Sequence, residues 1–503
     1  MKFDADERPI VEWDYFAPRR EFDVLETGPL TDDTDWIRVE RDENHQLRCE
    51  AHGPPAPSPY DRSPLGAVIE DVPDVEVENQ EGRTGIIEGL IIDRRKGLNE
   101  VQIGRPYRIS LELSREEPKR LIEWVLNFPQ KLRWPDVTQR IVDDENFWRH
   151  REVYGDEILS RGDVKELITG KATANMGPDH LSMNFSDEWG MEIVVGKVDS
   201  EVVGEEWKPG FIEFVAMDSS GLPSRDFRKR VRDALSFIVG RKIVNVGATF
   251  FDDKGSATKA VGMGNCLSGR KVAIRRGSQI PAPLTLQKGS SPHQVIDPPV
   301  VEAYLKGLID IWSKPHFIQA LGRYFNGHVA YAEMRGVAYG SALETVLDIQ
   351  RSKTDSSHRL LDKDVFRELR DQLEGALEDF GRDVETKAVK SRLDLIRRRL
   401  SNLNQSQPSD VLELFDDIGL EIGPVERDAW HERNRAAHGD VYASSDYEAG
   451  RQRCDALMTM FNRLLLKLCG AGTKYFDYTT LDWPVRDLDD PLKAGDKDKA
   501  ESE

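Results

Sequence analysis

Cysteine is scarce in this chain: Cys49, Cys266, Cys454 and Cys469 are the only four in 503 residues, and no two form a C-x-x-C pair. That spacing excludes a cysteine-rich zinc module and a disulfide scaffold, and it predicts reduced, buried thiols. Long apolar runs are also missing. No stretch approaches the ~18 residues needed to cross a bilayer, and the opening MKFDADERPIVEW has no apolar signal-peptide core. A cytoplasmic protein with no membrane association is therefore expected. Positive charge is in deficit, 70 Lys and Arg against 90 Asp and Glu, a net charge of −20. A general nucleic-acid coat is disfavoured, because phosphate binding relies on clustered cations, although a local basic site on an acidic body is compatible with this balance. The 39% of hydrophobic residues nevertheless suffices for real cores, so a wholly disordered chain is excluded. The length suits two to four domains.

The chain changes character near residue 290. Before it, β-type runs recur at Gly85–Asp93, Arg105–Ser114, Met191–Val198, Phe211–Met217 and Lys242–Phe251, with helices expected at Glu116–Phe128 and Ser224–Gly240. Residues 1–80, rich in Pro and Asp, read as partly irregular, and 81–276 as a β-rich mixed domain. A Pro/Gly/Ser-rich connector covers 277–299. Beyond it the pattern is helical across 300–470, with long helices expected at Val329–Ile349, Val384–Leu403 and Arg451–Cys469. Tyr324, Phe325 and Tyr331 read as core aromatics, and the charged tail 487–503 as disordered. The fold class expected is α+β: a β-rich mixed N-terminal domain followed by an all-α bundle.

The segment with most chemistry in it is Gly423–Gly439, GPVERDAWHERNRAAHG. Gly423, Pro424 and Glu426 make a helix start and Gly439 a stop. Near its end Arg433, Asn434 and His438 spell R-N-x3-H. The looser pattern R-x(4–6)-H also matches at Arg38/His45, Arg323/His328 and Arg351/His358, so the loose form alone decides nothing. Only Arg433/His438 has the following Asn, the late helical position and a strongly amphipathic helix after it.

This constellation resembles the signature of the HEPN family, helical domains many of which are ribonucleases. The layout of a β-rich first half and an R-N-x3-H bundle over roughly 300–470 is similar to that of ApeA-type abortive-infection proteins of bacteria. The resemblance implies a HEPN-like bundle and a metal-independent endoribonuclease of antiphage defence, working as a homodimer and needing no cofactor. Histidine moves protons near neutral pH and a guanidinium clamps phosphate oxygens, so His438 is the expected acid or base and Arg433 the expected phosphate clamp. Asn434, four residues before His438, is placed to orient its imidazole. At ~100° per residue Arg433 and His438 project about 140° apart on one helix, so either the final turn unwinds before Gly439 or a second copy completes the site across a two-fold axis, the latter being what the resemblance implies.

Two basic runs stand out in the acidic chain, Arg225–Arg232 and Lys387–Arg399. Such runs are ordinarily solvated helix faces; with RNA as partner, Arg435, Lys390, Arg397, Arg398 and Arg399 are the expected phosphate contacts. Glu344 is placed to assist His438, although a plain solvent carboxylate is its simpler reading. Gly264–Lys271 comes near a P-loop, but Lys271 stands where the magnesium-binding hydroxyl belongs, and His431-Glu432 lacks the second histidine of H-E-x-x-H, so no metal site is expected. The first half is expected to act as a sensor of a phage-derived trigger. A reading from another class stays open: a dimeric, non-catalytic binding module whose bundle is only a scaffold.

Overall fold

Short strand-forming runs dominate the first part of the chain, and in the computed structural model they pair edge to edge into one large sheet. The structure describes residues 19–493 except for 53–72, 134–179, 198–209, 265–293, 354–360, 405–411, 438–446 and gaps of one to four residues; a few positions inside elements are described by backbone alone. The chain divides into two units, Met1–Leu305 and Lys306–Glu503. The expected connector 277–299 falls almost wholly outside the described residues.

In the first unit the strands are β1 (Arg19–Glu26), β2 (Trp36–Arg41), β3 (Leu47–His52), β4 (Val75–Glu78), β5 (Thr84–Glu88), β6 (Ile91–Lys96), β7 (Val101–Arg105), β8 (Arg108–Glu112) and β9 (Arg120–Leu126). They are followed by β10 (Leu132–Arg133), β11 (His180–Phe185), β12 (Met191–Lys197), β13 (Gly210–Ala216), β14 (Val244–Phe251), β15 (Ala257–Met263) and β16 (Gln294–Val295). Fourteen of these form a sheet in the order β11-β12-β13-β9-β14-β15-β8-β5-β4-β1-β2-β3-β7-β6, all pairs antiparallel. Strands β2, β3 and β4 alternate buried and more exposed residues, so Ile37, Val39, Cys49, Ala51, Val75 and Val77 face one core and polar residues face outward.

Strand β9 corrects the expectation of a helix over Glu116–Phe128. All seven of its residues are buried, with β13 on one side and β14 on the other. A strand covered on both faces shows no alternation, and its apolar run is indistinguishable by period from a buried helix. Its two charges are matched in place: Arg120 pairs with Glu213 of β13, and Glu123 takes Arg228 at 3.0 Å together with Arg232. Those arginines come from α2 (Arg225–Ile238), which follows the four-residue helix α1 (Ser186–Trp189). Helix α2 forms where expected; Ser224 accepts from the Phe227 N–H at its start, and Val231, Ala234, Leu235 and Ile238 are buried along it. The strands β1 to β4 also lie within the segment read as partly irregular.

Helix α3 (Pro298–Trp312) spans the division between the units. The second unit contains α4 (Phe317–Val329), α5 (Ala332–Lys353), α6 (Lys363–Arg382), α7 (Lys387–Leu400), α8 (Glu413–Asp417), α9 (Pro424–Ala437) and α10 (Tyr447–Cys469). The expected fold class, α+β with a helical second part, is what the structure has. Helix α5 packs against α4, α9 and α10, and α7 packs on α6. The stripe foreseen on α10 is the core of the bundle: Cys454, Leu457, Met458, Phe461, Leu464 and Leu465 are all buried. Tyr324 and Phe325 are core residues as expected, Tyr324 stacking on Phe461 and donating to Asn462 at 2.9 Å. Tyr331 is not: it lies in the turn between α4 and α5 and is 86% exposed. The tail is also ordered further than expected. A hairpin of β17 (Lys474–Phe476) and β18 (Val485–Asp487) leads into Leu488 and Leu492, both buried. Two leucines in an acidic segment are enough to anchor it to the bundle. No helix of the described residues is long and apolar enough to cross a membrane.

Candidate functional site

Helix α9 begins as its sequence dictates. The Glu426 carboxylate reaches back to accept the Gly423 N–H at 3.0 Å, the one half of a capping box that a glycine cap can form. Along the helix Glu426, Ala429, Trp430 and Arg433, spaced by three, one and three residues, form the buried face. The last of these is the arginine of the R-N-x3-H motif. It is only 7% exposed, which differs from the exposed arginine that a mere surface helix end would carry.

Three contacts fix the Arg433 guanidinium. Its carbon lies 3.7 Å from the centre of the Trp430 ring, Nη1 donates to the Trp430 carbonyl at 2.6 Å, and Nη2 donates to Glu344 of α5 at 2.6 Å. Two of five N–H groups are thereby used. The Glu344 side chain is 40% exposed, so the pair opens to solvent on the carboxylate side. Glu344 is thus neither free nor positioned by sequence proximity; it is the partner that holds Arg433. The close approach of α5 and α9 depends on Gly340, where a Cβ would sit 2.7 Å from Cδ of Arg433. These three positions, Trp430, Glu344 and Gly340, are what sequence reasoning missed or undervalued. No local signal marks them; the only trace in the sequence is a glycine one turn before an acidic residue on a long helix.

The remaining motif residues are only partly described. Asn434 and Arg435 continue the helix by backbone, and their side chains fall outside the described part. His438 lies outside the described residues, as does the Lys390 side chain. Arg397 is half-buried, with Asp394 at 3.5 Å, while Arg398 and Arg399 are exposed. They belong to α7, whose packing partner is α6, whereas α9 packs on α5 and α10. Among the described residues Arg397–Arg399 and Arg433 thus lie on helices with different main packing partners. In the looser match Arg323/His328, Arg323 is committed to Thr345 at 2.5 Å and Ser341 at 3.3 Å. Burial, with Arg335 nearby, pushes His328 down to about 4, so it is neutral at pH 7. Among the described residues no group of three or more His, Cys, Asp or Glu is placed to hold a metal ion.

One carboxyl on α10 titrates near neutrality. Burial raises Asp455 to about 6 against the opposing pull of Arg451 and Arg335, with Glu448 adding to the rise. A carboxyl whose folded value exceeds the unfolded one favours the fold when protonated and opposes it when ionised. Asp455→Asn is expected to stabilise the protein by about 1–3 kcal/mol above pH 6, with the gain opening between pH 4 and 6 and absent below it. Unfolding followed by helical circular dichroism at pH 3.5 and pH 8 checks this; an equal gain at both values refutes it. No protein-family model, curated protein or solved structure matches the chain.

Proposed function

We propose that the protein is a metal-independent endoribonuclease of HEPN type, acting in bacterial antiphage defence of the abortive-infection kind. The observation that carries the reading is the state of Arg433: buried, stacked and directed by Trp430 and Glu344, five residues before His438 in the sequence. A guanidinium held this way enters the reaction already oriented, with three N–H groups that have no hydrogen-bond partner among the described residues. An RNA phosphate reaches it from the side of the half-exposed Glu344, whose carboxylate occupies the place of a phosphate oxygen. The 2′-hydroxyl oxygen then bonds to phosphorus and the bond to the 5′-oxygen breaks. A base removes the 2′-hydroxyl proton, an acid supplies one to the leaving 5′-oxygen, and His438 fills one of these roles. Products are a 2′,3′-cyclic phosphate and a 5′-hydroxyl. A second copy related by a two-fold axis supplies the other histidine, which makes the active form a homodimer. Asn434 orients the imidazole, Arg435, Lys390 and Arg397–Arg399 supply further phosphate contacts, and the first unit senses the trigger in the cytoplasm.

The second reading, a non-catalytic dimeric scaffold, has its own support: the contacts of Arg433 are also those of an arginine that merely locks α9 to α5. Purified wild type and His438→Ala, incubated with total bacterial RNA in EDTA, separate the two. Cyclic-phosphate fragments from wild type alone are expected. Equal fragments from the variant, or none from wild type even with infected-cell extract added, overturn the proposal.

A further inference from the structure

The basic run Arg225–Arg232 is solvated only in part: Arg225 and Lys229 are exposed, while Arg228 and Arg232 turn onto Glu123 of β9. Helix α2 lays it along a cleft of about 420 Å³ against β8, β9, β14 and β15, all within the first unit. This volume is in the range of small-molecule sites. Six cations and three carboxylates line it, in a chain whose net charge is −20. Two of the carboxylates are each shared by two cations: Glu123 by Arg228 and Arg232, Asp233 by Lys229 and Lys242. Burial works to raise both acids, but the facing cations outweigh it, holding Asp233 at about 2 and Glu123 below its ordinary value. Each shared set therefore keeps one positive charge in excess. Arg225 adds a third, since its partner is the neutral hydroxyl of Tyr107 at 2.6 Å. Arg108 is balanced by Glu88 at 2.8 Å, and the exposed Asp226 offsets one charge, leaving an excess of two.

Charge alone would suit any anion; the floor of the cleft is more selective. Asn245 on β14 bonds to Glu123 through its side chain, yet its buried Oδ1 has no hydrogen-bond partner among the described residues. An acceptor left this way calls for a hydroxyl or amino donor, which a phosphate group does not offer. Beside it Phe250, Val261 and Met263 present apolar surface. We propose that this cleft binds a nucleoside phosphate, with the phosphates on Arg225, Lys229 and the two Glu123-bound arginines, a sugar or base donor on Asn245 Oδ1, and the ring against Phe250. This site is separate from α9 and does not depend on the ribonuclease reading.

Calorimetric titration of the full chain with ATP, GTP, CTP, UTP, adenosine and inorganic tripolyphosphate tests it. At least one triphosphate is expected to bind, with tripolyphosphate and the unphosphorylated nucleoside each about tenfold weaker or more. Arg225 and Lys229 are both exposed, so their replacement should leave the fold intact. Arg225→Gln combined with Lys229→Gln is expected to weaken the triphosphate about a hundredfold, with the melting temperature lowered by a few degrees at most because Lys242 still faces Asp233. Asn245→Leu should weaken the nucleotide and leave tripolyphosphate unaffected. No triphosphate binding up to about 1 mM, tripolyphosphate binding as tightly as any nucleotide, unchanged affinity in the double variant, or binding of a single-stranded RNA oligomer but no mononucleotide would each overturn the proposal.

Discussion

Arg433→Lys is expected to slow RNA cleavage by about 10²–10³-fold, the loss typical when one oriented donor to a developing oxyanion is removed. Lysine keeps the charge and most of the length. It has no planar face to lie 3.7 Å over Trp430, and its single nitrogen cannot serve the Trp430 carbonyl, Glu344 and a phosphate from the directions the fork reaches. Because charge on the phosphate oxygens grows toward the transition state, the loss should fall on kcat more than on KM. Glu344→Gln provides the complementary arm. It removes the anion competing for the guanidinium while keeping a hydrogen-bond acceptor, so KM for RNA should fall and kcat change by only a few-fold. Single-turnover cleavage of a defined RNA, with melting temperatures recorded alongside, reads both. Cleavage by Arg433→Lys within about threefold of wild type would reduce Arg433 to a packing residue.

The same arginine shows how far the sequence could be read. The start of α9 was visible in Gly423, Pro424 and Glu426, and the core face of α10 in its three-and-four spacing, because both signals are local. The partner of Arg433 was not, since Glu344 is 89 residues away and only the packing of α5 on α9 brings them together. Gly340 makes that packing possible through an atom it lacks, which no periodicity reports. Likewise Arg228 and Arg232 read as solvent-facing cations, while their acceptor Glu123 lies 105 and 109 residues earlier in the chain.

The errors in the fold have a related origin. Strand β9 reads as a helix because burial on both faces erases alternation, and the acidic Glu116–Glu117 before it mimic a helix start. The charged composition of the final segment reads as disorder, although the buried Leu488 and Leu492 and the backbone groups bonded to Arg463, Tyr475 and Glu426 hold it in place. Composition averages over a window; anchoring is done by individual atoms.

That anchoring sets up the largest expected effect on stability. Arg463 of α10 and Glu426 of α9 are both fully buried and meet at 2.6 Å. Arg463 also donates to the carbonyls of Leu488 at 2.9 Å and Glu421 at 3.1 Å and lies over the Tyr475 ring, while Glu426 accepts the N–H groups of Leu492 and Gly423. One ion pair thus ties two helices, the β17–β18 hairpin and the final segment. Arg463→Ala leaves a buried carboxylate and two orphaned carbonyls, and should cost about 3–5 kcal/mol. For a unit of this size that corresponds to a fall of roughly 6–20 °C in the helical melting transition. Glu426→Gln combined with Arg463→Met should recover part of the loss, since the uncompensated charge is gone. The pH dependence follows from the carboxyl itself. Burial already raises Glu426 above its ordinary value, despite the Leu492 N–H, Arg463 and the Gly423 N–H, and removing Arg463 raises it further. A raised carboxyl favours the fold in its protonated form, so the deficit of Arg463→Ala should be largest near pH 8 and shrink as the pH falls through that raised value. Melting curves of wild type, Arg463→Ala and the double variant at pH 5 and pH 8 measure this directly. A deficit independent of pH would mean that lost packing over Tyr475, and not the stranded Glu426 charge, is what the arginine prevents.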